Sequence, residues 1–246
     1  MTYLVGKIAL DITAGAPNNG RGADNVAHTK KLYINGKAHP YVSAQAFRRW
    51  LRDSLPPSEI PSPVYRTGKG KRQQAHTAGR PDRYLDDDLF GYMVAAKQKN
   101  YQRDTVLATG TLVAVAPTTP ERDFGTMSRG FPADANPVIH EHEHYTAELA
   151  GDVLLDLPRI GVFEREGGLR CALSPDAVSD ALAAGAEEVQ FRGVTSLRLN
   201  MTERRRRAAV LLRTLAEVRG GAKKALHYGD RAPALVLLAP DRKSVV

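Results

Sequence analysis

Residues 40–52 read Pro-Tyr-Val-Ser-Ala-Gln-Ala-Phe-Arg-Arg-Trp-Leu-Arg, and they place three guanidinium groups just after a serine suited to cap a helix. Ser43 precedes a run of good helix formers, where its hydroxyl can take up an orphan backbone N–H. In a helix over about 43–55, Gln45, Arg48, Arg49 and Arg52 share one stripe, while Phe47, Trp50, Leu51 and Leu55 share the opposite one. Unpaired N–H groups and the macrodipole make a helix start attractive to anions, and here the arginines extend the same face. The chemistry on offer is phosphate recognition. A solvated basic face is the other reading of this pattern.

Other candidate groups carry less. His140, His142 and His144 share one face if 138–145 is a strand, and three imidazoles can bind zinc. Same-face neighbours on a strand lie about 6.6 Å apart, however, which suits cross-strand contacts better than one coordination sphere. Asp86, Asp87 and Asp88 read as acids in the first turn of a short helix more readily than as a cation site. Cys171 has no histidine near it in sequence and is expected to be buried. There is no glycine-rich loop ending in Lys-Ser/Thr and no Gly-x-Ser-x-Gly. We therefore expect no catalytic residues, no metal and no cofactor.

The elements that must position these groups follow from periodicity. Alternation of Leu4, Ile8, Leu10 and Ile12 with Lys7, Asp11 and Thr13 predicts a strand over 3–14. A Gly/Asn/Pro-rich loop at 15–27 and a short strand at 31–34 follow, the latter turning at Asn35-Gly36. Residues 56–104 change in composition, with four early prolines, a basic Gly/Gln stretch and a short helix near 86–93, and read as an insertion. Strand character returns at 105–115, and 117–145 is loop-like. A strand at 153–157, a Ser174-Pro175-initiated helix, a strand within 188–198, a helix capped by Thr202 and stopped by Gly220-Gly221, and a strand at 232–239 complete the chain. Arg204, Arg205, Arg206 and Arg207 crowd the first turn of that last helix, where the dipole disfavours cations, which implies an anion nearby or a solvated turn. Order and spacing point to an α+β sandwich of the ferredoxin-like or RNA-recognition type.

Whole-chain balance favours an anionic partner. The 246 residues carry 35 Lys plus Arg against 27 Asp plus Glu, a formal charge of +8. For such a chain nucleic acid is the first expectation. No apolar run reaches the roughly 20 residues of a bilayer span, residues 1–10 lack signal-peptide features, and a single cysteine excludes an internal disulfide. A cytoplasmic location and no membrane partner are expected.

Several segments together resemble one family. The 40–48 stretch resembles the "PYVSgQafR" segment of the DevR-type CRISPR-associated autoregulators, the backbone subunits of type I-B Cascade. Asp88-Leu89-Phe90-Gly91-Tyr92-Met93 resembles their "DlFGYM" motif. Asp123-Phe124-Gly125-Thr126, Asn136-Pro137 with Glu143-His144-Tyr145, and 204–222 are similar to later family stretches in the same order. Two departures stand out: Ala44 occupies a position where the family usually has glycine, and the chain stops soon after Ala239.

The resemblance implies a modified RNA-recognition palm over 1–55 and 105–246. A helical fingers insertion at 56–104 and a thumb-like hairpin loop at 117–137 would complete it. Copies would polymerise along CRISPR RNA, present it to target DNA and work with other Cascade subunits and a recruited helicase-nuclease. RNA contacts would come from Asn19, Arg21, Lys30, Lys31, Ser43, Gln45, Arg48, Arg49, Arg52, Lys223 and Lys224, with Phe124, Met127 and Arg129 on the thumb. Lys69, Lys71 and Arg72 would face DNA. Related type III backbone subunits cut target RNA with an aspartate before the first helix, and Asp24 occupies that region, so an endoribonuclease is the alternative. A DNA-binding regulator is a third reading, for which no helix-turn-helix pattern is visible.

Overall fold

The structure, a computed structural model, describes residues 3–20, 26–68, 70, 73–95, 100–132, 134–166 and 171–241. The elements in chain order begin with β1 (Tyr3–Gly15), β2 (Val26–Ala27), β3 (Lys31–Ile34), β4 (Lys37–Val42) and α1 (Ala44–Asp53). Next come β5 (Val64–Thr67), β6 (Gln74–Thr77), α2 (Leu85–Phe90), β7 (Tyr92–Ala95), β8 (Asn100–Arg103), β9 (Leu107–Thr109) and β10 (Leu112–Ala114). The remainder are β11 (Glu121–Met127), β12 (Val138–Leu155), β13 (Val162–Glu166), α3 (Pro175–Ala183), β14 (Glu187–Phe191), β15 (Val194–Arg198), α4 (Met201–Glu217) and β16 (Pro233–Asp241).

One curled antiparallel sheet organises the molecule, in the order β16-β1-β12-β10-β4-β3. Its spine is β12, 18 residues long, whose C-terminal half pairs with β1 from Leu4↔Leu155 to Gly15↔Tyr145. The N-terminal half runs on past the sheet and pairs with β11, from Glu121↔His144 to Met127↔Val138. The alternation read in β1 decides which face is covered. Ile8, Leu10 and Ile12 are buried, and they join Leu149, Val153 and Leu155 of β12, Phe47, Trp50 and Leu51 of α1, and Leu211 and Leu215 of α4 in the main core. This mixed architecture, with few helices on a curled sheet, is consistent with an RNA-recognition-like fold.

Several local expectations hold. The β3–β4 hairpin turns at Asn35 and Gly36, both with positive φ, as a two-residue turn of that composition requires. Ser174 caps α3 with Pro175 in the first turn.

Others are corrected. The 117–145 region, loop-like by periodicity, carries the β11–β12 hairpin, in the place where the resemblance implied a thumb-like one. It was hidden by Gly and Pro in a segment whose strands pair with each other more than with a core. Residues 188–198 hold two strands turning at Arg192-Gly193, and with β13 they make a three-stranded sheet under α3. That sheet has its own small core of Phe163, Leu173, Ala177, Ala181 and Leu197. The cap of α4 is Asn200, whose Oδ1 accepts the Glu203 N–H at 2.9 Å, and Thr202 is already helical. The described residues of 56–104 include two antiparallel strand pairs, β5–β6 and β7–β8, and only one α-helix, six-residue α2, which is buried and joins the main core. Among the described residues no helix is long and apolar enough to cross a membrane.

Candidate nucleic-acid interface

The amphipathic reading of α1 survives, but its cations do not form one free stripe. Phe47, Trp50 and Leu51 are buried, with the first two rings edge-on at 6.1 Å. Ser43 is the cap, its Oγ accepting the Ala46 N–H at 3.3 Å. Gln45 is exposed. Arg49 pairs along the surface with Asp53 at 2.7 Å. Arg48 leans toward β9, its Nη1 3.4 Å from Thr109 Oγ1, and burial followed by repulsion from Arg52 lowers its pKa. Arg52 turns inward, lying over the Phe90 ring at 5.4 Å with Nε 3.4 Å from Asp86 Oδ2.

Beside the helix, residues 15–31 fold back on themselves. Asn19 forms a bridge with Thr29, and its Oδ1 is buried without a hydrogen-bond partner. Lys30 is half-buried and donates its backbone N–H to Asn18 at 2.9 Å. Lys31 is turned to Glu143, its ammonium 3.2 Å from Oε1. The same carboxylate meets His28 at 2.8 Å and accepts the Thr29 N–H and hydroxyl at 2.9 and 3.0 Å. Burial alone would raise Glu143, but these bonds outweigh it and hold the carboxyl down at about 2. Arg21, Asp24, Lys69, Lys71 and Arg72 lie outside the described residues.

The β11–β12 hairpin carries large apolar side chains away from any core. Phe124 and Met127 are 59% and 57% exposed, as are Val138 and Ile139 at 57% each. Phe124 pairs with Glu141 and Met127 with Val138, so the period of two puts the phenyl ring and the thioether on opposite faces. Arg129, in the turn region, is exposed, and Arg122 lies 3.6 Å from Glu141.

The glycine stop after α4 has a packing reason that sequence alone did not separate from a ligand reason. A Cβ on Gly220 would stand 2.0 Å from Trp50 Cγ. Gly221, at φ +100°, has Pro17 and Trp50 each 3.0 Å from its Cβ position. The Ala222 N–H reaches Pro17 O at 2.9 Å, and buried Arg231 clamps the Gly220 and Ala222 carbonyls at 3.1 and 2.7 Å. Lys223 follows with φ +59° and Lys224 reaches the Arg219 carbonyl at 3.4 Å. The fold thus gathers α1, the 15–20 segment and the 220–224 segment around Trp50.

Of the arginines that open α4, Arg206 and Arg207 have found anions inside the protein. Arg207 Nη1 is 2.7 Å from Asp88 Oδ2, and Arg103 Nη2 is 2.5 Å from Oδ1 of the same carboxylate. Arg206 pairs with Glu203 and Glu59, while Arg204 donates to the Ile160 and Pro158 carbonyls at 2.7 and 2.9 Å. Asp86 and Asp87 are also buried. Burial and then the Asp87 charge raise the Asp86 pKa, and Asp87 accepts from Ser62 Oγ at 2.8 Å. The acidic triplet is thus an internal hub, more than a dipole-matched first turn. Cys171 is buried, as expected.

No protein-family model and no curated protein matches this sequence. Solved structures do share the fold. A chain of a "CRISPR RNA-guided surveillance complex" superposes on 95% of this chain and 66% of its own length, with TM-score 0.56 and 15% identity. A chain of a "CRISPR RNA-guided surveillance complex, pre-nicking" covers 95% and 76%, with TM-score 0.61 and 11% identity. This chain therefore spans just under two thirds of the first of them. At such identities the likeness is one of fold.

Proposed function

We propose that this chain is a guide-RNA-binding backbone subunit of a CRISPR surveillance complex, of the DevR-type, type I-B kind that its motifs resemble. Copies of the chain polymerise along CRISPR RNA in the cytoplasm and present it to target DNA, together with other Cascade subunits and a recruited helicase-nuclease. Its role is scaffolding without catalysis. The palm spans 1–55 and 105–246, with 56–104 inserted as fingers. The observation that carries the reading is the β11–β12 hairpin, whose exposed phenyl, thioether and branched aliphatic side chains have no core to cover them. Bases are suited to cover them, since stacking contributes about 1–3 kcal/mol per base regardless of sequence. The shared fold with chains of RNA-guided complexes supports the same reading.

Chemical probing of the RNA in the assembled complex tests it. Regularly spaced distorted nucleotides are expected. Phe124→Ala with Met127→Ala should erase the period, and uniform reactivity in the wild type would contradict base contacts by the hairpin.

A further inference from the structure

One face of the hairpin base is lined with imidazole. His140, His142 and His144 alternate along β12, and His227 reaches in from the turn after Lys223. Ring centroids are 6.3 Å apart for His140–His142, 4.9 Å for His142–His227 and 5.2 Å for His144–His227. The His140 ring covers Gly125, where a Cβ would stand 2.2 Å from its Nε2, so the stack needs a residue without a side chain there. It runs from exposed His140 down to His142, whose side chain is 5% exposed. Both His142 ring nitrogens, His144 Nδ1 and His227 Nε2 are buried without a hydrogen bond inside the protein.

Three of these atoms, all but His142 Nε2 with the Asp123 carboxylate near it, are costly, at roughly 1–3 kcal/mol for each buried polar group left unmet. Native proteins rarely leave them so. Among the described residues no three His, Cys, Asp or Glu side chains are placed to hold a metal ion. The charged groups around the stack favour an anion instead. From β11, Asp123 Oδ2 lies 3.3 Å from His142 Nε2; from the covering segment, the charges of Lys223 and of carbonyl-bonded Arg231 act on His142 and His227 respectively. Burial first, then neighbouring imidazoles and these cations, push His142 and His227 toward the neutral form, with Asp123 opposing. One carboxylate thus stands among two cations and four imidazole rings.

We infer that this imidazole stack is a proton-linked phosphodiester site at the foot of the hairpin, in which His142 and His227 donate N–H bonds to an RNA phosphate beside Lys223. The inference rests on the RNA-binding reading above. Phosphate arrival draws a proton from solvent onto a ring nitrogen, because charge-assisted bonds to an oxyanion are about twice as strong as neutral ones. RNA then binds more tightly as pH falls through the histidine range, where each linked proton changes affinity up to about tenfold per pH unit.

The test is binding of a fluorescent 12-nucleotide oligouridylate to the full chain from pH 5.5 to 8.5 at fixed ionic strength. The wild type should tighten about three- to tenfold from pH 8 to pH 6. His142→Asn with His227→Asn should lose this acid limb and stay at the alkaline affinity. Calorimetry of the wild type in two buffers of different ionisation enthalpy reads the proton uptake directly, whether or not the variant folds. A pH-independent affinity with no proton uptake overturns the site while leaving RNA binding intact. So does a Zn²⁺-induced rise in melting temperature that the variant lacks. Absence of RNA binding at every pH overturns the scaffold reading as well.

Discussion

Asp88 and Arg207, 119 residues apart, meet at 2.7 Å with both side chains out of solvent. Their contact ties α2, within the 56–104 segment, to the first turn of α4, and Arg103 closes the same carboxylate from β8. It also accounts for Arg207, the last of four successive cations at this helix start, of which Arg205 stays exposed. Removing the carboxylate takes from two buried guanidinium groups the partner they share, leaving Glu203 to Arg207 and Glu164 to Arg103, a loss of up to about 3–5 kcal/mol for a broken buried pair. Asp88→Asn should lower the urea midpoint accordingly. A change within error would mean that water reaches the site.

What sequence could and could not reveal divides along this line. Local patterns were legible: the β1 alternation, the Ser43 cap, the Asn35-Gly36 turn and the Phe47/Trp50/Leu51 face all depend on neighbours a few residues away. The 204–207 run was not. Its partners are Asp88, Glu59 and the carbonyls near 158–160, contacts that only the tertiary fold creates. Periodicity gave no hairpin at 121–145, although the family resemblance implied one, because β11 lacks a buried face and the stretch of β12 paired with it buries histidine and glutamate in place of aliphatic side chains. Glu143 and His227 gave no sequence signal of their roles. The face shared by His140, His142 and His144 was readable, whereas its cover by His227 was not.

The Trp50–glycine contact should be sensitive to a single methyl. Gly220→Ala places carbon against the indole and should destabilise by about 1–3 kcal/mol, as overpacking does. Thermal melting checks this, and an unchanged melting temperature would mean that the 220–224 segment moves freely.

The basic groups around Trp50 should separate by role. Phosphate contacts on single strands contribute a salt slope of about 0.7 per neutralised charge. Arg48→Ala with Lys223→Ala and Lys224→Ala should therefore flatten log K against log salt by about two units. Arg52→Ala removes the partner of buried Asp86, so its larger effect should be on the urea midpoint. Equal slopes in the triple variant and the wild type would place those three cations away from RNA.

Stability should depend on acid pH through Glu143. Its folded pKa of about 2 lies below the ordinary 4.5, so its contribution is full above pH 4.5 and is lost as pH falls through about 2. Glu143→Gln should cost on the order of 2–3 kcal/mol at pH 7. The gap to the wild type should close between pH 4.5 and 2. A gap that persists at pH 2 would assign the loss to packing.

The central claim is that this chain assembles on guide RNA. The most direct measurement is to express it with a CRISPR array and determine the mass and nucleic-acid content of the purified material. The account predicts a multimer carrying RNA of uniform length. An RNA-free monomer under those conditions would contradict it.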